Sequence, residues 1–218
     1  MTFKVRSSRL SDLHHQMRSC RKCLEAGHEI TPKAIFSGQT TGSVMIIGQA
    51  PGTTEVEAGR PFNAGSGTRL FEWLGRAGFD ETLFRSNQYM TSITKCFPGK
   101  AKNGSGDRVP TLEERELCSP YLDDELQLVE PKLVIPVGRL AINKFYPAKD
   151  PLSKIIGTIR EVDGFAVVPL PHPSGASRWH QSQTNRDLID KAIKLISQYR
   201  KQMVRDPIGL EAEDTAGA

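Results

Sequence analysis

Apolar and polar positions along this chain follow two periods in alternation. Val44 to Ile47 is a run of four apolar residues closed by Gly48, the pattern of a strand buried on both faces. Gly48, Pro51 and Gly52 then rule out an immediate helix and predict a turn of small residues that lets the backbone approach something closely. Helical spacing governs Gly67–Gly75, with Leu70, Phe71 and Leu74 on one face. It also governs Asn185–Met203, with Leu188, Ile189, Ala192, Ile193 and Ile196 on one side. A first helix is predicted over Ser11–Cys20, capped by Ser11. The stretch "TLEE" from Thr111 to Glu114 fits a capping box opening another, which Pro120 is expected to kink or interrupt. Further strands are predicted over Gln88–Thr94, over Lys132–Gly138 with Pro136 near its end, and inside "GFAVVPLPHPSG"; a short helix follows from Arg139. No internal repeat is visible. The pattern predicts a three-layer α/β/α sandwich on a central, mostly parallel four-stranded sheet. Residues 1–204 are read as one domain and 205–218 as a disordered acidic tail.

In open α/β sheets ligands sit outside the carboxyl ends of the strands. Gly48-Gln49, Ser92 to Cys96, Gly138 and His172 each follow one of the four predicted strands, so the polar and glycine-rich positions converge on one sheet edge. Taken singly, each is only a turn. Composition changes this little: 25% charged and 38% hydrophobic residues describe an ordinary globular chain. No apolar run reaches the length of a membrane span and the N-terminus lacks the apolar core of a signal peptide, so a cytoplasmic protein with reduced thiols is expected. A net charge of +4 and a pI near 8.9 permit a polyanionic partner without requiring one.

The cysteines say more. Cys20 and Cys23 form C-x-x-C, and Cys96 and Cys118 lie far downstream. In a reduced compartment, four cysteines with one tight pair point to a metal or cluster more than to disulfides. Thiolates suit both zinc and iron–sulfur, and spacing does not choose between them.

The ordered set "CRKC", "GQAPGTTEVEAGRPFNAGSG", "TSITKCFPG", "EERELCSPYL", "PVGRLA" and "PHPSG" resembles the uracil-DNA glycosylase superfamily, most closely its iron–sulfur branch, family 4. The resemblance runs from about Ser11 to Arg200. It implies a DNA repair enzyme that flips uracil or a related deaminated base out of DNA and hydrolyses its N-glycosidic bond, leaving an abasic site. It implies that the turn of Gly48, Ala50, Pro51 and Gly52 holds the base and sugar, and that Phe62 stacks on the base while Ser92 meets its edge. It also implies that His172 and Gln49 are catalytic, His172 at the leaving oxygen and the backbone amides near Gln49 and Ala50 at the base carbonyl as charge develops. Pro173, Ser174, Gly175 and Arg178 become DNA contacts. Cys20, Cys23, Cys96 and Cys118 become ligands of a 4Fe–4S cluster, with structural zinc the alternative. No membrane or obligate protein partner is implied.

The pattern departs from the family in places. Gln49 stands where family 4 usually has glutamate, and no aspartate occupies the first motif, so the water-activating role passes to Glu55, with Glu57 next. Ser92 stands where an asparagine commonly reads the uracil edge, and the stretch between Cys96 and Cys118 is longer than usual. Two other readings stay open. One is a binder of damaged or abasic DNA on the same fold, with weak, altered or covalently trapped turnover. The other is a small-molecule enzyme holding phosphate at the Gly48 turn, although neither a Walker lysine nor G-x-G-x-x-G is present.

Overall fold

A computed structural model describes residues 2–40, 42–102, 106–174, 177 and 179–205. In chain order its elements are helix α1 (Phe3–Ser19), α2 (Lys22–Glu25), strand β1 (Val44–Gly48), α3 (Thr53–Ala58), α4 (Ala64–Arg76), α5 (Glu81–Asn87) and β2 (Tyr89–Ser92). There follow α6 (Leu112–Val129), β3 (Leu133–Pro136), α7 (Arg139–Ile142), α8 (Leu152–Ile155), β4 (Arg160–Val162), β5 (Phe165–Val167), a 3₁₀ turn over Trp179–Gln181, and α9 (Gln183–Arg205).

The sheet order is β2-β1-β3-β5-β4, parallel except for the edge strand β4. Among the described residues it therefore has five strands, one more than the four predicted. The extra strand forms a hairpin with β5 through Asp163-Gly164, both at positive φ (47° and 87°), the conformation an Asp-Gly pair favours in a two-residue turn. Side chains alternate across β1. Val44 and Ile46 enter a core with Leu70, Leu74, Ile189 and Ile193 from α4 and α9. Met45 and Ile47 enter a second core with Leu13, Met17 and Leu122 from α1 and α6. Helices thus cover both faces, as a buried parallel sheet requires.

Several expected boundaries shift, and one expected interruption is absent. α1 starts at Phe3, not Ser11, because its buried residues Leu10, Leu13 and Met17 anchor a helix whose first turns lie in solvent. Pro120 does not interrupt α6. Its missing N–H leaves the Glu116 carbonyl without a helical donor, and the Ser119 hydroxyl donates to that carbonyl at 3.1 Å. β2 ends at Ser92 because the N–H groups of Ile93 and Thr94 turn to the carbonyls of Gly48 (3.0 Å) and Gln49 (3.3 Å). The expected acidic tail, 205–218, lies outside the described residues beyond Arg205.

Beneath the end of β2 lies a buried ion pair. Lys95 Nζ donates to Glu125 Oε2 (2.7 Å), to Thr91 Oγ1 (2.8 Å) and to the Ser92 carbonyl (2.6 Å). Glu125 Oε1 accepts from Tyr89 Oη (3.0 Å) and Thr91 Oγ1 (2.9 Å). Lys95 is 2% and Glu125 0% exposed, so each charge depends on the other. Glu125→Ala should lose about 3–5 kcal/mol of stability in denaturant unfolding, the cost of stranding a buried charge. The double variant Lys95→Met/Glu125→Leu should recover most of that loss.

Candidate active site

A cleft of about 480 Å³ opens at the carboxyl ends of β2, β1 and β3. The turn after β1 forms one wall, with Gly48, Gln49, Ala50, Pro51 and Gly52 all facing the space, and Phe62, Ser92 and His172 facing it from elsewhere. The small residues of the turn have a local cause. A Cβ on Gly48 would lie 3.0 Å from Cζ of Phe62, so the glycine makes room for that ring.

Phe62 itself is held in the left-handed region at φ 50°, a conformation costing about 1–3 kcal/mol for a non-glycine residue. Several contacts over-determine it. Arg85 donates from Nη1 to the Pro61 carbonyl (2.9 Å) and from Nη2 to the Phe62 carbonyl (2.8 Å), while its guanidinium lies over Phe71. Gly67 lies so close beneath that a Cβ there would be 2.0 Å from the Phe62 carbonyl oxygen.

Glu55 binds the two walls. Oε2 accepts the Gly52 N–H (3.0 Å) and the Thr54 hydroxyl (3.2 Å), and Oε1 accepts the Asn63 N–H (2.9 Å). Expected as the water activator, Glu55 is 9% exposed and has both oxygens engaged by backbone donors. Its observed work is to join residues 52 and 63. Glu57, the second acidic choice, is exposed on α3 and does not line the cleft.

His172 packs on Gly138, whose Cβ would sit 3.2 Å from the ring Cδ2 and whose φ of +85° favours glycine. The imidazole Nδ1 accepts the Ser174 N–H at 3.2 Å. The crowding of the ring by protein lowers its pKa below the ordinary 6.5, with the negative Glu55 partly opposing that shift. The neutral ring with Nδ1 as acceptor carries its proton on Nε2, a donor available to the cleft. Arg69 on α4 donates to the Pro173 carbonyl at 2.9 Å and steadies the loop that carries the histidine. Ser174 lines the cleft. Gly175 and Arg178 lie outside the described residues.

Ser92 is buried, and its hydroxyl donates to the Thr94 carbonyl at 2.8 Å. That proton is committed within the turn, so toward the cleft the hydroxyl oxygen acts as an acceptor.

The four cysteines are free thiols around one apolar cavity with Met17, Pro98, Leu117 and Tyr121. Burial is the first cause raising Cys23 to about 11 and Cys96 to about 12, with the neighbouring cysteines adding to it. The Lys95 backbone N–H points to Cys118 Sγ at 3.4 Å. Among the described residues no three His, Cys, Asp or Glu side chains converge on one point as a single ion requires. All four cysteines line this one cavity.

Sequence reading missed Arg69, Arg85 and Asp107. Arg85 falls at i+4 from Glu81, which suggests only a surface pair, and nothing local links it to a carbonyl 23 residues away. Asp107 sits in the long stretch between Cys96 and Cys118, where nothing local marks it, and it lines the cleft.

The profile of the uracil DNA glycosylase superfamily matches residues 35–196. The chain is 35% identical over 133 residues to the Type-4 uracil-DNA glycosylase of Pyrobaculum aerophilum, a match covering 61% of this chain and 62% of that protein. It is 30% identical to the Type-4 uracil-DNA glycosylase of Archaeoglobus fulgidus, over 76% of this chain and 81% of that one. It is 26% identical to the Type-4 enzyme of Thermotoga maritima, over 79% and 85%.

Glu55→Ala should lower stability by about 1–3 kcal/mol, because the part-buried N–H groups of Gly52 and Asn63 lose their acceptor. Glu55→Gln, which keeps one carbonyl oxygen, should lose less. Thermal unfolding of the two variants checks the order.

Proposed function

The chain belongs to the uracil-DNA glycosylase superfamily, and we propose that it excises uracil or a related deaminated base from DNA by hydrolysing the N-glycosidic bond. The observation that carries this reading is His172, its Nδ1 taken by the Ser174 N–H, in the lining of a cleft walled by the glycine turn and by Phe62. That contact leaves Nε2 to carry the proton of the neutral ring. A base extruded from the stack fits such a site: the Phe62 ring stacks on its face, and Gly48, Ala50, Pro51 and Gly52 leave the space it needs. As the bond to C1′ breaks, its electron pair moves onto the base. A preorganised donor at the carbonyl oxygen stabilises that charge, and a neutral imidazole fills the role without itself being a cation that must be desolvated. Gln49 is read as a further polar contact to the base within the turn. Pro173, Ser174, Gly175 and Arg178 are assigned to the DNA strand beside the flipped nucleotide.

Ser92 favours a base preference broader than uracil alone. With its proton given to Thr94, its oxygen offers an acceptor and no amide donor to the base edge.

We read Cys20, Cys23, Cys96 and Cys118 as the ligands of one 4Fe–4S cluster. Support comes from four free thiols lining one cavity, at the positions where the family resemblance expects cluster ligands. Bound there, the group would tie the end of α1, the turn after β2 and α6 together, and hydrolysis calls for no electron transfer from it.

Uracil-containing oligonucleotide, incubated with the protein and then treated with alkali, should break at the uracil position; an intact strand across a panel of deaminated bases overturns the reading. His172→Ala should slow single-turnover cleavage by about 10²–10³-fold, or roughly 2.7–4 kcal/mol, with gel-shift affinity little changed because phosphate contacts dominate it. The depressed pKa of His172 sets the sign of the pH dependence. The neutral ring persists below pH 6.5, so the parent rate should stay level through that value and fall only at lower pH, where protonation turns Nδ1 from acceptor to donor.

The purified protein should be brown and contain about four irons per chain. Cys96→Ser should lose colour, iron and thermal stability together. Stoichiometric zinc in a colourless parent protein would overturn the cluster assignment.

A further inference from the structure

The hydrolysis proposed above still needs a group to hold the attacking water. Once the base has drawn off its electron pair, C1′ carries cationic character, and water reaches it on the side away from the base. A carboxylate with a free oxygen serves both needs, accepting the water proton and facing the developing positive charge. Among the described residues two acidic side chains line the cleft, Glu55 and Asp107. Glu55 has both oxygens engaged by the N–H groups of Gly52 and Asn63.

Asp107 is differently placed. Its Oδ1 accepts from Lys100 Nζ at 2.7 Å, and among the described residues Oδ2 has no hydrogen-bond donor. That oxygen lies against the base-holding turn: a Cβ on Gly52 would be 2.6 Å from it. An ordinary exposed Lys–Asp pair would have no reason to rest on this backbone, and Gly52 is where the chain leaves room for it. The position is also braced. Across the base of the loop, the Arg108 N–H donates to the Gly99 carbonyl and the Ala101 N–H to the Gly106 carbonyl, both at 3.0 Å. Arg108, next in sequence, forks onto the buried Glu114 at 2.7 and 2.5 Å, and Glu114 in turn caps α6. Both neighbours of the carboxylate are thus fixed before any ligand arrives, the preorganisation that a catalytic group requires.

We propose that Asp107 is the catalytic residue that positions the hydrolytic water, supplying from the loop between Cys96 and Cys118 the carboxylate that the first motif lacks. The C1′–N bond breaks and its electron pair leaves with the base, whose oxygen is held by His172 Nε2–H. The water oxygen forms the new bond to C1′, and its proton passes to Oδ2 of Asp107. That proton is then released to solvent, from which the base anion takes one, so the sum is addition of water across the bond.

This inference rests on the glycosylase reading, and the test separates the two. Single-turnover excision from a uracil-containing oligonucleotide is measured for the parent, Asp107→Asn and Asp107→Ala, beside gel shifts and melting temperatures. Because Asp107 is exposed, both variants should melt with the parent. Both should bind the oligonucleotide within about threefold of the parent and cleave it about 10²–10⁴-fold more slowly. Sodium formate should restore at least tenfold of the rate in Asp107→Ala, where a small carboxylate can enter, and little in Asp107→Asn, where the amide fills the space. A parent that cleaves nothing defeats the glycosylase reading and this proposal with it. A parent that cleaves while Asp107→Asn keeps its rate overturns the proposal alone. So does a loss that follows weakened DNA binding or lowered melting, or a loss in Asp107→Ala that formate leaves unchanged.

Discussion

One carboxylate holds the cleft in shape. Glu55 gathers the N–H of Gly52, at the end of the turn after β1, and the N–H of Asn63, just past Phe62. Without it those donors would lose their carboxylate acceptor, and two segments eleven residues apart would lose the joint between them. The rest of the wall builds on that joint. Phe62 can stay at positive φ because its carbonyl is taken by Arg85 and its following N–H by Glu55, on either side of the strained residue. Local strain of this size persists only where surrounding bonds over-determine it.

The cysteine cavity and the cleft are not independent. Both meet in the turn from Ile93 to Cys96 that leaves β2. Lys95 sends its backbone N–H to Cys118 Sγ and its ammonium to the Ser92 carbonyl, so one residue touches the cysteine ring and the cleft-facing strand end. The Lys95–Glu125 pair lies below them in the dry interior, where a hydrogen bond between charges is strong and its loss costly. A group bound by the cysteines would stiffen this turn, and through it the edge at Ser92, without taking part in bond cleavage.

Much of this organisation could be read from the residues alone. Four of the five strands and the long helices follow from apolar periodicity, and the convergence of the Gly48, Ser92, Gly138 and His172 turns follows from the parallel order. The capping box at Thr111 is present as drawn, with Glu114 accepting the Thr111 N–H at 2.7 Å. The exposed hairpin strand β4 has the polar pattern of a surface segment, and only Asp163-Gly164 marked its turn. Glu55 was singled out for its charge near the motif, but a sequence does not show which backbone N–H groups will claim a carboxylate. Asp107 escaped notice because its importance comes from a contact with Gly52 across 55 residues of chain.

Three glycines explain how the cleft sorts charge. Gly48 gives its side to the Phe62 ring, Gly138 to the His172 imidazole, and Gly52 to the carboxylate oxygens of Asp107 and Glu55. The apolar face, the proton donor and the negative charge are therefore distributed over successive strand ends and turns of one sheet edge. Cleavage of a glycosidic bond creates two opposite charges at once, negative on the base and positive on the sugar. A cleft with its donor and its acceptors mixed at one point would cancel its own field before the substrate felt it. Protein packed around the His172 ring lowers its pKa although Glu55 pulls the other way, which favours a neutral donor over an ion pair with the clamp. On the proposed reading this leaves the histidine to the departing base and the acidic side of Gly52 to the sugar and its water.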